Sequence, residues 1–194
     1  MVVPLFRIDI IRMRIGAHVS AAGGLHNAPG NAAELGLECF QFFSRPPQGG
    51  RVAAITPAAA DLFRSACARH GFSQYYIHAP YVINLASAEK RIRENTIDIL
   101  RGELDRGSAL GATAMMFHPG SASGVGLEKA MAYVIEGIKR ILDGYDGAAR
   151  PLIEISAGAG EVHADTFEEV RAILDGAADE HLGVIDDAVR ALVA

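Results

Sequence analysis

Short, solidly apolar runs alternate along this chain with longer amphipathic stretches, and that alternation restricts its fold more than any other feature. Strands separated by helical crossovers pair in parallel, because a tight hairpin cannot return the chain in the same direction. Strands are expected over residues 15–19, 39–43, 75–78, 114–118 and 151–155, with a sixth over 182–186. Helical patterns fill the gaps over 25–35, 57–70, 88–110, 127–142 and 166–174. Thr56 followed by Pro57 reads as an N-cap with proline in the first turn, Asp165 as the cap of the last helix, and Gly111 and Gly144 as helix stops. The strands lack an apolar–polar alternation, as expected for strands covered on both faces. A unit of roughly 35 residues suits either a (β/α) barrel or a doubly wound sheet, and periodicity leaves both open.

With 194 residues, half of them hydrophobic, the chain can bury a core as one domain. Met13 directly precedes the first strand pattern, so residues 1–12 read as an N-terminal extension and 13–194 as the domain. No apolar run reaches the ~18 residues of a membrane span, and the start lacks the apolar core of a signal peptide. A cytoplasmic protein without membrane contact is expected. Cys39 and Cys67 are far apart and read as reduced, buried small residues. The net charge of −5 argues against a basic nucleic-acid face. That argument weakens if divalent ions occupy a cleft, since each adds two positive charges where a phosphate would sit.

The placement of polar residues carries the functional signal. His18, His78, His118 and Glu154 each fall at the C-terminal end of an expected strand, the first, third, fourth and fifth. In a barrel these ends converge on one mouth; in a doubly wound sheet they line a crevice. A single histidine there would read as a hydrogen-bonded structural residue. Three histidines and a glutamate at the same end of the strands are the donors that zinc, manganese or iron favour. A buried Glu154 would also cost desolvation unless a cation met it. The residues themselves thus point to a metal-dependent hydrolase or isomerase. His26, His70, His163 and His181 lie in helices or loops and read as solvated. The glycine-rich runs 120–126 and 156–160 lack the spacing of a P-loop or dinucleotide site, and there is no nucleophile elbow.

Four segments resemble endonuclease IV, a branch of the xylose isomerase-like TIM barrels. They are Gly16-Ala17-His18-Val19-Ser20-Ala21-Ala22-Gly23-Gly24-Leu25, His78-Ala79-Pro80-Tyr81-Val82-Ile83-Asn84-Leu85, Phe117-His118-Pro119-Gly120-Ser121 and Ile153-Glu154-Ile155-Ser156-Ala157-Gly158. They occur in family order with similar spacing. The resemblance implies a TIM barrel holding three zinc ions that hydrolyses the phosphodiester 5′ to an abasic site in double-stranded DNA. It makes His78, His118 and Glu154 zinc ligands, His118 and Glu154 central to catalysis, and His18 a support behind the ligands. It places Tyr81 and Val82 on a loop that enters the DNA, and 44–50 on a second such loop. The family's arginine and aromatic residue on that second loop are replaced by Gln48 and Gly50, with Arg45 and Arg51 beside them as candidate DNA contacts.

The C-terminal segment departs from the family. Ungapped matching puts Asp187 on a ligand aspartate, but Arg190 where a histidine belongs, and the last strands have no counterpart. A (β/α) barrel takes about 250 residues. The expectation is therefore an incomplete barrel of five to six of the eight units, from a truncated or frame-shifted gene. Such a chain would support one ion, zinc or else manganese, rather than three, and be a poor nuclease. Its open first and sixth strands would invite self-association. Two other readings stay open: a metal-dependent sugar-phosphate isomerase or epimerase of the same barrel superfamily, and a non-catalytic fragment.

Overall fold

The computed structural model describes residues 14–50, 52–122, 124–156 and 164–185. The expected extension 1–12, Arg51, Asp187 and Arg190 lie outside them. Six parallel strands form one sheet, each beside its predecessor in sequence: β1 (Gly16–His18), β2 (Cys39–Phe42), β3 (Tyr75–His78), β4 (Ala114–Phe117), β5 (Arg150–Glu154) and β6 (Gly183–Ile185). Five α-helices connect them: α1 (Ala28–Glu34), α2 (Pro57–Arg69), α3 (Lys90–Leu110), α4 (Leu127–Leu142) and α5 (Phe167–Ala177). Consecutive helices pack on one another, α1 on α2, α2 on α3, α3 on α4 and α4 on α5, as crossovers of one hand between successive neighbours require. A doubly wound sheet would reverse its strand order at a switch point, and this order runs straight from β1 to β6. The fold is thus an α/β TIM barrel that is incomplete, with six of eight strands among the described residues.

Local chemistry explains most boundaries. The Thr56 hydroxyl accepts the Ala59 N–H at 3.2 Å, and Pro57 opens α2 as expected. Gly111 ends α3 in the left-handed conformation, with φ of 76°. The cap of α5 is Thr166 rather than Asp165: its hydroxyl accepts the Glu169 N–H at 3.2 Å. The Glu169 carboxylate in turn accepts the Ala164 N–H at 2.9 Å, just before the helix. The expected helix from residue 25 begins with a single 3-10 turn, Leu25–Asn27, and becomes α-helical only from Ala28, next to Pro29. The expected start at 88 shifts to Lys90.

The main core lies between sheet and helices. Phe40, Phe42, Ile77, Met115, Phe117 and Ile153 face the helices and are at most 2% exposed. Phe40, Phe42, Phe63, Phe72 and Tyr75 form one aromatic cluster with ring centroids 5.0–5.8 Å apart. Each fully buried ring of this kind contributes about 1.5–3 kcal/mol. The opposite face is less covered: Gln41, Tyr76 and Leu152 are half-buried. The expectation of strands buried on both faces therefore holds throughout β4, whose four residues are all buried, and in part elsewhere, where Gln41, Tyr76 and Leu152 meet an interior that the described strands only partly enclose. No described helix is long and apolar enough to cross a membrane.

Both cysteines are free thiols. Burial pushes Cys67 from its ordinary 9.0 up to about 12, and burial also raises Cys39. At about pH 8 a thiol-directed disulfide reagent should leave Cys67 untouched until the chain unfolds. Between 9.0 and about 12 the unfolded chain loses a proton that folded Cys67 keeps, so stability should fall as pH rises through that window. Alkaline melting curves of wild type and Cys67→Ala check this; an identical pH slope would contradict it.

Candidate metal centre

Strand register brings the candidate ligands level. His78 ends β3 and pairs with Met116 of β4. Phe117 pairs with Ile153, so the next residues along, His118 and Glu154, stand side by side just past and at the ends of β4 and β5. His78 Nε2 lies 3.1 Å from Glu154 Oε2, and His118 Nε2 lies 3.5 Å from the same oxygen. The three donor atoms all fall within 4.8 Å of one another. A four-coordinate ion with bonds of ~2.1 Å needs ligand–ligand edges of about 3.4 Å, so both measured distances match such a site.

The surroundings fix the chemistry of these donors. The His78 side chain is 2% exposed, and Nδ1–H donates to the Ala79 carbonyl at 2.6 Å. That bond selects the tautomer whose Nε2 carries a lone pair, as metal-binding histidines require. Nε2 itself is buried and makes no hydrogen bond among the described residues. A buried polar atom in that position is costly unless something meets it, and a cation between lone pair and carboxylate would do so. The His118 Nδ1 lies 3.4 Å from the Ser156 hydroxyl. His118 is also the most accessible of the three, with 32% of its side chain exposed, so the approach for a further ligand is from its side. The donor set therefore fits a divalent ion.

Around the cluster, rings gather at the mouth. Phe43 and Tyr81 stand 5.4 and 5.5 Å from the His78 ring and 5.3 Å from each other. Tyr81 and Val82 are 66% and 42% exposed, large apolar groups presented to solvent at the site. His18 stays outside the ligand cluster. It packs on Phe43 with centroids 4.4 Å apart, and its Nδ1 is 3.1 Å from Gln41 Oε1. A cleft of about 540 Å³ runs beside His18, Phe43 and Pro46. The loops after β2, β3 and β4 are laced together: Tyr81 N–H donates to Pro47 O at 3.0 Å, Leu85 N–H to Pro119 O at 2.9 Å, and Asn84 Nδ2 to Ser121 O at 3.1 Å. Gly120, with φ of 114°, lies so close to Asn84 that an added Cβ would sit 2.8 Å from its Cα. That glycine is required by loop contact, which accounts for the start of the 120–126 run. Of the run 156–160, only Ser156 is described.

Gln48 is exposed at the tip of the loop after β2, whereas Arg45 turns inward and donates from Nε to Glu103 at 2.5 Å. Phe43, Glu103 and Arg106 are site-proximal residues that sequence reasoning missed. Phe43 was legible as an aromatic residue level with His78; Glu103 and Arg106 had the look of an ordinary solvated helix face.

A (β/α) barrel whose C-terminal mouth brings together two imidazole nitrogens and a carboxylate has a donor set that could hold a metal ion, at the end of the barrel where this fold carries its sites. Residues 29–190 match the family model of xylose isomerase-like TIM barrels, and the chain belongs to that family. It is similar to the crystal structure of endonuclease IV from Thermus thermophilus, with 30% identity, a TM-score of 0.78, and coverage of 94% of this chain and 70% of that one. A D-psicose 3-epimerase crystallised in the presence of D-fructose matches with 17% identity and a TM-score of 0.71, over 90% of this chain and 63% of that one. A D-psicose 3-epimerase from Clostridium cellulolyticum matches with 12% identity and a TM-score of 0.69, over 90% and 63%. The epimerase likenesses show the shared fold.

Zinc or cobalt titration followed by competition with a chelator dye should give saturable binding that His78→Ala weakens by more than the ~10–100-fold that loss of an outer hydrogen-bond partner costs. Equal affinity in wild type and variant would refute the assignment.

Proposed function

We propose that this chain carries a metal-dependent phosphodiester hydrolase site of the endonuclease IV kind, which acts on double-stranded DNA 5′ to abasic sites in base excision repair. The observation that carries the reading is the His78–His118–Glu154 donor set at the mouth, in a chain 30% identical to the Thermus thermophilus enzyme. Zinc is the ion this reading prefers, with manganese second, and the described residues bring together one such set. A divalent ion held there would acidify a water and offset charge that builds on a phosphate in the transition state.

The chain's own residues supply the rest. The Ala79 carbonyl holds the His78 ring so that Nε2 faces Glu154. Ser156 stands against the outer nitrogen of His118. Burial of Glu154 and His78 keeps water away from two of the three donors and strengthens their attraction for a cation. Tyr81 and Val82 project beyond the donor cluster, where an apolar pair can occupy the gap left by a missing base. Phe43 and Tyr81 offer ring faces and edges to a sugar drawn out of the helix. An abasic nucleotide enters such a pocket at least cost, because it has no pairing or stacking to lose. Gln48 extends the same face. Arg45 is paired with Glu103 and does not face the mouth as a free cation. A cytoplasmic setting suits two free cysteines.

The test uses a duplex oligonucleotide with a tetrahydrofuran abasic analogue, zinc, and the purified chain. Slow nicking on the 5′ side is expected from a chain with one donor set, lowered further by about 10²-fold or more in His118→Ala and Glu154→Gln. An unmodified duplex should stay intact. Failure to nick the abasic strand at any zinc concentration would reject the reading, as would nicking that both variants retain. Interconversion of D-fructose and D-psicose dependent on the same residues would replace it with a sugar epimerase.

A further inference from the structure

A buried ionic network lies behind the mouth and is used by none of the chemistry above. Glu103 of α3 is fully buried. Its Oε2 accepts the Ser44 hydroxyl at 2.6 Å, and its Oε1 accepts Arg45 Nε at 2.5 Å. One turn along, Arg106 lies 3.5 Å from the same Oε1 and donates from Nε to Ser44 Oγ at 2.7 Å. Its two remaining nitrogens reach opposite ends of one loop: Nη2 donates to the Ser44 carbonyl, and Nη1 donates to the Ala53 carbonyl at 2.7 Å. A single guanidinium thus bridges both ends of the segment 44–53. Between them the chain turns with Gly49 N–H on Pro46 O at 2.9 Å.

That loop in turn holds the next one. Pro47 O accepts the Tyr81 N–H, and Gly49, with φ of 87°, packs so closely that an added Cβ would sit 2.9 Å from Val82 Cγ2. Tyr81 and Val82 therefore rest on a loop whose ends are fixed by Arg106. A buried ion network gains little net stability over apolar packing, because desolvation offsets much of the attraction. What it does supply is geometry: a planar guanidinium with several donors holds several acceptors in one arrangement.

From this geometry we infer that Glu103 and Arg106 are positioning residues for the substrate mouth, which set the loop 44–53 and, through Pro47, the placement of Tyr81 and Val82. The inference rests on the proposed function only for what the mouth binds; the loop coupling stands by itself.

Hydrogen exchange by mass spectrometry on the full chain tests it, with Arg106→Lys, Ser44→Ala, Glu103→Gln and Glu103→Ala. Lysine keeps the charge but cannot span both carbonyls. Amides of 44–45, 48–50, 52–53 and of Tyr81 should exchange ~10-fold faster or more in Arg106→Lys, with β4 and β5 protected as in wild type and zinc affinity unchanged. Glu103→Gln fills the same volume with one acceptor oxygen, so it should fall between wild type and Glu103→Ala. A merely space-filling role predicts that Glu103→Gln behaves as wild type, and that result would overturn the inference. So would unchanged loop exchange in Arg106→Lys and Ser44→Ala, or faster exchange spread evenly through all strands. With abasic duplex as substrate, Arg106→Lys should raise KM about tenfold with kcat held within ~3-fold. If the protein proves inactive on abasic DNA, the exchange pattern is still expected, so the two readings fail separately.

Discussion

Parallel register is the constraint on which the site depends. The pairing of His78 with Met116 and of Phe117 with Ile153 fixes how far each strand extends before its polar terminal residue. A slip of one residue would turn each side chain to the other face of the sheet. His78 would then point into the helix layer, where Phe42, Ile77 and Phe117 are already close-packed. The core that resists such a slip is the one that places two imidazoles and a carboxylate within reach of one ion. Packing on the helix side and chemistry on the barrel side are two consequences of the same alternation.

Much of this is legible in the sequence, for identifiable reasons. The strands are short apolar runs closed by a polar residue, so the ends of the third, fourth and fifth can be located to within a residue. That rule picks out His78, His118 and Glu154, and the three do meet. His18 satisfies the same rule, yet its ring turns to Phe43 and Gln41 and stays outside the ligand cluster. Strand-end position identifies which residues reach the mouth, and only the sheet's curvature decides which of them face each other. Periodicity does not separate a barrel from a doubly wound sheet, because both have the same unit; the unbroken strand order does. The family motifs favour the barrel, and the family match agrees.

What the sequence conceals is long-range. Ser44 and Glu103 are 59 residues apart, and Arg106 and Ser44 are 62 apart. Nothing local marks Glu103 as buried: a charged pair three apart on a helix ordinarily faces water. The same blindness makes Arg45 look like an available cation, when its guanidinium is committed to Glu103. The cap of α5 is a smaller instance: Asp165 and Thr166 are both acceptable and each has a glutamate three residues on, and only the structure shows that the Thr166 hydroxyl takes the Glu169 N–H.

Everything proposed for the mouth depends on whether His78, His118 and Glu154 bind an ion together. Diffraction from zinc-soaked crystals at the zinc absorption edge measures this directly. An anomalous peak about 2.0–2.2 Å from His78 Nε2, His118 Nε2 and a Glu154 carboxylate oxygen is expected. Zinc bound only at other residues, with His78 and Glu154 left in direct contact at saturating metal, would contradict it.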